Sequence, residues 1–166
     1  MGGNDRDFSD FVTGAGPALL KSARLLTGDW HLGEDLVQTA LVQVYRRWSR
    51  HEEWDSPLAY TRATMINTFC TWRRRRWHRE VATATPVPPA SPDTADRVAA
   101  SDALARALDR LDRRQRAVIV LRYFDELSVA ETAAVLRCPP GTVTSIASRA
   151  LEKLRREATL ELEDRR

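Results

Sequence analysis

The stretch from Ser128 to Arg156, SVAETAAVLRCPPGTVTSIASRALEKLRR, limits this chain more than any other. It predicts two helices joined by a tight turn. Ser128 is a good N-cap with Glu131 three residues on, the spacing of a capping box. Val129, Ala133, Val135 and Leu136 give the first helix a small apolar face. Cys138-Pro139-Pro140-Gly141 ends it, because proline lacks the amide that continuation needs. Thr142 is then placed to cap a second helix, whose apolar stripe is Val143, Ile146, Ala147, Ala150, Leu151 and Leu154. Its other face carries Thr144, Ser145, Ser148, Arg149, Glu152 and Arg156, all polar. A short helix, a turn and a longer helix with a polar outer face is the build of a major-groove reader, in which hydroxyls and arginine reach phosphates and base edges. An ordinary helical hairpin with a solvated face has the same spacing, so both readings stay open on this stretch alone.

A length of 166 residues suits one domain or two small ones. The net charge of +3 is modest, but it is unevenly spread: Tyr60 to Arg79 holds six arginines and no acidic residue. Such a patch suits a polyanion. Cys70 and Cys138 fit no metal or disulfide pattern and are expected as packed thiols. With no signal segment and no apolar run near the ~18 residues of a membrane span, a cytoplasmic protein is expected.

Phe8, Phe11, Val12 and Ala15 begin a helical pattern that Gly14, Gly16 and Pro17 are expected to bend or break before Leu19, Leu20, Ala23 and Leu26 continue it. Gly28-Asp29 marks a turn. From about Leu32 an amphipathic helix buries Leu36, Val37, Ala40, Leu41, Val44 and Trp48 and exposes Glu34, Asp35, Gln38, Gln43 and Arg47. Ser56-Pro57 starts a further helix, an N-cap followed by proline. It is expected to reach about Arg79, with Leu58, Ala59, Met65, Ile66, Phe69 and Trp72 inside. Its end, Trp72-Arg73-Arg74-Arg75-Arg76-Trp77, interleaves aromatics with arginines. That pattern suits phosphate neutralisation and base stacking, and equally a core tryptophan beside a solvated basic helix end. Val81 to Val98 contains four prolines and reads as a linker. In extended form it spans about 50 Å, enough to hold two halves well apart. Ser101 and Asp112 are placed to cap two more helices, with Leu104, Leu108 and Leu111 inside the first and Ala117, Val118, Leu121 and Phe124 inside the second. No stretch alternates as a strand does. The expected fold is all-α: two small helical domains joined by a proline-rich linker, the C-terminal one containing the helix-turn-helix.

In this order and spacing, the motifs resemble the bacterial RNA polymerase sigma factors of the extracytoplasmic-function group, sigma-E-like subfamily. The resemblance covers nearly the whole chain. It is carried by Asp35-Leu36-Val37-Gln38 and the helix to Trp48, and by Ser56-Pro57-Leu58 through Asn67 to Arg76. In the second half it is carried by Arg114-Gln115-Arg116-Ala117-Val118, Leu121-Arg122-Tyr123-Phe124, Leu127-Ser128-Val129-Ala130-Glu131-Thr132-Ala133 and Gly141-Thr142-Val143.

The resemblance implies that residues 5–80 dock on core polymerase and open the promoter −10 element, that 81–98 thread through the enzyme, and that 99–160 read the −35 element. Asp35, Leu36 and Gln38 would bind polymerase. Asn67, Trp72, Arg73, Arg74, Arg75 and Arg76 would meet the −10 strands, helped by the loop before their helix. Thr142, Thr144, Ser145, Ser148 and Arg149 would meet the −35 groove. Many relatives have Lys and Arg where this chain has Thr144 and Ile146, and an acidic residue where it has Thr71, so the promoter sequence is not transferable. The implied partners are core RNA polymerase and promoter DNA, with room for an anti-sigma factor and none for a small-molecule substrate, membrane or cofactor. With no segment beyond Arg166, no third, self-regulating domain is expected.

Two other classes compete. A stand-alone helix-turn-helix regulator binding symmetric sites as a dimer explains 99–160, but leaves Asp35, Gln38 and the Arg/Trp helix without a role. An enzyme finds no nucleophile–base pair, phosphate loop or metal-ligand cluster in the sequence.

Overall fold

The computed structural model describes residues 2–72 and 103–164, all of them in helices or the turns between. Helix α1, Gly2–Thr27, is continuous. Of the bend or break expected at Gly14, Gly16 and Pro17, the break does not occur. Pro17 lies on the exposed side, while Leu19, Ala23 and Leu26 are buried on the other, and tertiary burial of that stripe outweighs the local penalty. Gly28, at φ +73, turns the chain, and Asp29 caps α2, Trp30–Tyr45, by accepting from the Leu32 amide at 2.8 Å. The helix therefore starts two residues before Leu32. Its buried stripe is Gly33, Leu36, Val37, Ala40, Leu41 and Val44.

A 3₁₀ turn, Trp48–Glu53, leads to α3, Pro57–Thr71, where the Ser56 hydroxyl accepts from the Ala59 amide. Helix α3 stops at Thr71, short of the expected Arg79. At Trp72 the backbone leaves the helical region (ψ 123°) while its amide still closes on the Thr68 carbonyl at 2.9 Å. Met65, Ile66 and Phe69 are buried as expected, but Ala59 is exposed, and Cys70 is at the surface rather than packed.

In the second half, helix α4 (103–108) is followed by α5, Arg113–Ile119, which starts with a full capping box between Asp112 and Gln115. Helix α5 runs into a π-turn, Val120–Phe124, closed by the Asp125 amide on the Val120 carbonyl at 3.0 Å. Helix α6, Val129–Leu136, has the capping box expected of Ser128 and Glu131. It ends at Arg137 in the left-handed region (φ 51°). Helix α7, Pro140–Asp164, follows. Pro140 opens it, and Thr142 and Val143 already donate to the Pro139 carbonyl, so Thr142 lies in the first turn and is not the cap.

Val118, Ala133, Val143, Ile146 and Ala147 form the helix-turn-helix's own small core. The larger core belongs to both halves. Leu19, Leu26, Leu36, Met65 and Phe69 join Leu108, Ala117, Leu121, Val135 and Ala150 in one apolar cluster. The linker is long enough to hold the halves apart, yet here α3 packs against α5 and α6, and α1 against α5 and its π-turn. Among the described residues no helix is long and apolar enough to cross a membrane.

Candidate nucleic-acid interface

Three surfaces carry most of the described residues singled out by the sequence. The first is the exposed side of α2. Asp35 and Gln38 are both exposed there, but Leu36 is fully buried and cannot meet a partner; its role is to hold the helix on the core. Val42, half exposed, lies one turn beyond Gln38, and Tyr45 follows. The Tyr45 hydroxyl donates to Asp5 at 2.7 Å, and the neighbouring carboxylate pushes its pKa up. Sequence reasoning missed Val42, although its signal was present: an apolar residue out of phase with the buried stripe.

The second surface surrounds α3. Asn67 is half-buried, and Trp72 packs partly against the main core, closer to a core tryptophan than to an open stacking platform. Arg73, Arg74, Arg75 and Arg76 lie outside the described residues. The loop before α3 carries more aromatic structure than its sequence suggested. Trp48 is buried, edge-on to Phe8 at 5.0 Å and stacked on His51 at 4.4 Å with the rings 4° apart. Trp54 stacks on Tyr60 at 4.0 Å, and Arg47 donates to the Tyr60 hydroxyl at 3.0 Å. A ring pair of this kind beside a cation, both on a partly open surface, suits an unpaired base.

The third surface is the outer face of α7. Thr144, Ser145, Ser148 and Arg149 are exposed together, Thr142 is half-buried, and Ile146 is in the core. The helix faces outward with the register the sequence predicted. Arg149 Nε donates to the Ser145 carbonyl at 3.3 Å, which leaves the rest of the guanidinium pointed along an exposed face. The base of the motif is fixed by Ser128, whose hydroxyl and amide hydrogen bonds hold the Glu131 carboxyl below its ordinary range.

Charged groups also lie buried where the halves meet. Arg116, only 3% exposed, donates from Nε to the Leu25 carbonyl at 2.6 Å and from Nη1 to Asp109 at 2.5 Å. Burial pulls its pKa down, and Asp109 opposes this. The Leu25 carbonyl is in the last turn of α1, so Arg116 satisfies a helix-terminal acceptor of the other half. A Cβ on Gly28 would lie 3.0 Å from Asp109 Oδ1 and 3.1 Å from Arg116 Nη2, so the turn needs glycine for space as well as for φ. Asp125, carried by the π-turn, accepts from the Ser22 hydroxyl at 2.5 Å and faces Arg62 at 3.8 Å. Burial pushes its carboxyl up; Ser22, Arg62 and Lys21 push the other way. A raised native pKa means the native state holds the proton more tightly than the unfolded chain. Asp125 therefore contributes most stability below the ordinary carboxylate value, and the contribution is lost as pH rises through the native value. Thermal melts from about pH 4 to about pH 7 should show the wild type losing this increment relative to Asp125→Asn. A constant difference between the two across that range would contradict the assignment.

Comparison with known proteins places the chain by sequence and by fold. The family description "Sigma-70 region 2" matches residues 11–79 and "Sigma-70, region 4" matches 101–154. The chain is 41% identical over 155 residues to the RNA polymerase sigma-E factor of Streptomyces coelicolor, covering 91% of this chain and 85% of that one. Among solved structures it is similar to CnrH in complex with the cytosolic domain of CnrY, with a TM-score of 0.65 and 27% identity over 97% of this chain and 92% of that one. It is also similar to the sigma factor RpoE of Bartonella quintana in complex with the anti-sigma factor NepR, with a TM-score of 0.65 and 26% identity over 91% and 96%. A buried helical frame with a capped helix-turn-helix, matched along nearly its whole length, makes the chain a member of the sigma-70 family of RNA polymerase sigma factors, in the extracytoplasmic-function group related to the sigma-E factors.

Proposed function

We propose that this chain binds core RNA polymerase and directs promoter-specific initiation, with α2 docking on the enzyme, α3 and its preceding loop opening the −10 element, and α7 reading the −35 element. It does this in the cytoplasm and carries no chemistry of its own. Residues 5–80 are the docking and opening half, 81–98 the connection, and 99–160 the upstream reader. One observation carries the reading: a single chain presents two dissimilar outward faces, the acidic-to-apolar stripe Asp35–Gln38–Val42 and the hydroxyl-and-arginine face of α7. A dimeric regulator of symmetric sites needs only the second. Trp54 and Tyr60 join Asn67 and the Arg73–Arg76 run as the residues for the separated strand, since turning a base out costs a few kcal/mol that stacking must offset. The solved relatives were captured with CnrY and with the anti-sigma factor NepR. An anti-sigma factor is accordingly the third expected partner.

The deciding experiment is a pull-down with core RNA polymerase, followed by run-off transcription on sheared genomic DNA. Association with new, discrete start sites is expected. Duplex binding by the purified chain without any association with polymerase would favour the stand-alone regulator instead. Within that assay, Arg74, Arg75 and Arg76 changed together to Ala should reduce promoter opening at least tenfold, read by permanganate reactivity, and leave polymerase affinity nearly unchanged. Equal losses would place the cluster away from DNA. Arg149→Ala should weaken the upstream footprint by about 1–3 kcal/mol, the worth of one good base-edge contact, again without loss of polymerase. An unchanged footprint would make Arg149 a solvated residue.

A further inference from the structure

We propose that the chain carries a small-molecule site: the cavity between α1, the start of α2, α4 and the π-turn takes one carboxylate amphiphile, with its acyl chain inside and its head group on Lys21 and Arg24. The occupant is a ligand and undergoes no reaction there. None of the lining residues belongs to the Asp35–Gln38–Val42 stripe, the loop before α3 or the outer face of α7. The site therefore adds to the function proposed above without resting on it.

The cavity measures about 680 Å³, inside the roughly 300–1,000 Å³ of small-molecule sites. Its inner lining is Leu20, Leu25, Leu104 and Phe124, all part of the main core or packed against it. Two of these come from α1, one from α4 and one from the π-turn, so the hollow has walls on several sides. Pro17 and Trp30 line its outer part, and both are exposed, Trp30 by 45%. Trp30 is pinned where it stands. Its Nε1 donates to Glu34 at 3.1 Å, and the Arg24 guanidinium lies 5.5 Å from the ring centroid. A ring held this way stays beside the hollow instead of collapsing into it, and a preorganised wall lowers the cost of binding.

Charge selects the occupant. The polar side chains lining the cavity are two cations, Lys21 and Arg24, and among the described residues no carboxylate lines it. They stand three residues apart on α1, hence on one face and about 5–6 Å between Cβ atoms. Two carboxylates lie near and are engaged elsewhere. Glu34 accepts from Trp30, and Asp125 is held by Ser22 and Arg62. Asp125 also attracts Lys21, but its side chain is only 6% exposed while Lys21 is exposed. The lysine can thus keep its stem on the apolar wall and turn its ammonium to a ligand at the mouth. A neutral apolar molecule fits the walls and leaves both cations unused; a cationic amphiphile is repelled by them. A carboxylate accepts charge-assisted hydrogen bonds from both, while its chain displaces water from leucine, phenylalanine and tryptophan surface. A cavity of this size holds one such molecule, not several turns of a partner helix.

The test is titration calorimetry on the full chain with monomeric decanoate, with decanol and decylamine as controls. One decanoate per chain should bind with a Kd on the order of 100 µM, the strength one buried acyl chain supports. Decanol should bind at least about fivefold more weakly, and decylamine more weakly still. At about 1 mM, decanoate should raise the Tm by about 3 °C or more. Lys21→Gln should weaken decanoate at least about threefold and leave decanol unchanged, a split that a merely structural lysine would not produce. A brominated decanoate should quench indole fluorescence in the wild type and lose most of that quenching in Trp30→Phe, which keeps the apolar wall. Leu20→Trp fills the cavity and should abolish binding; should it lose helix content by circular dichroism, Leu104→Phe carries the same test. Equal affinities for decanoate and decanol would overturn the anionic class. Quenching unchanged in Trp30→Phe would overturn the site. Many molecules per chain, or a fall in Tm, would show detergent action only and overturn the proposal. So would binding to phosphatidylglycerol vesicles with no response to the monomer, which would make the patch a membrane contact. A particle whose mass doubles on concentration, and reverts in Trp30→Asp, would mean that a second copy of the chain fills the groove, and would overturn it as well. Polymerase enters none of these readouts, so their failure leaves the function proposed above standing.

Discussion

Trp48→Ala should lower the unfolding free energy by about 3–5 kcal/mol, the largest single-residue loss expected in the first half. Trp48 is 2% exposed and is the largest fully buried side chain among the described residues. It is wedged between Phe8 and Phe11, stacked on His51 and edge-on to Trp54 at 6.0 Å. Its indole nitrogen has no hydrogen-bond partner among the described residues, so the loss comes from packing and the cavity left behind. For a chain of this size that corresponds to a fall in Tm of roughly 6–20 °C. The substitution should also damage function at a distance. Trp48 anchors the 3₁₀ turn, and its carbonyl is 2.7 Å from His51 Nδ1; this turn sets the position of Trp54 and thereby of the Trp54–Tyr60 pair. Trp48→Phe should recover most of the stability. A calorimetric loss below about 1 kcal/mol for Trp48→Ala would mean that the cluster collapses around the gap.

Asp35→Arg combined with Gln38→Ala should weaken association with core polymerase by at least tenfold and leave the melting curve nearly unchanged, because both side chains project into solvent. Leu36→Ala, one residue away, should behave in the opposite manner. Leu36 is fully buried, so this change should cost about 2–5 kcal/mol of stability, and any loss of binding should follow the unfolded fraction. Val42→Asp should resemble the Asp35 variant, since Val42 is half exposed on the same stripe. The comparison needs binding by fluorescence anisotropy and melting on the same samples. Binding losses that track stability in all three would remove α2 from the polymerase interface.

Much of the fold was open to reading from local patterns. Capping at Ser56, Asp112 and Ser128, the Pro139-Pro140 stop and the outward register of α7 are set within a few residues of each other, and local hydrogen bonds need little from the rest of the chain. The misreadings came where distant packing outweighed local chemistry. Pro17 did not break α1, because the burial of Leu19, Ala23 and Leu26 held the helix together across it. At Leu36 the local period, which put it on the buried stripe, held, and the contact role that the resemblance implied is the reading its burial does not support. Cys70 follows buried Phe69 on α3 but faces out. The Trp54–Tyr60 pair joins a loop to a helix, and no period in the sequence announces it.

By itself the sequence determined the all-helical class, the helix-turn-helix, the outward face of α7 and the family, because these depend on spacing and on side-chain type within one or two turns. Only the tertiary structure decided that the two halves share a core and that Arg116 reaches across to the Leu25 carbonyl. It also decided that Asp125, turned inward by a π-turn, meets Ser22 and Arg62. Those contacts join residues tens of positions apart, on either side of a linker whose composition allows closed and open forms alike. Which form is adopted depends on the apolar area and buried charge that the halves bring together, and neither quantity exists until they meet.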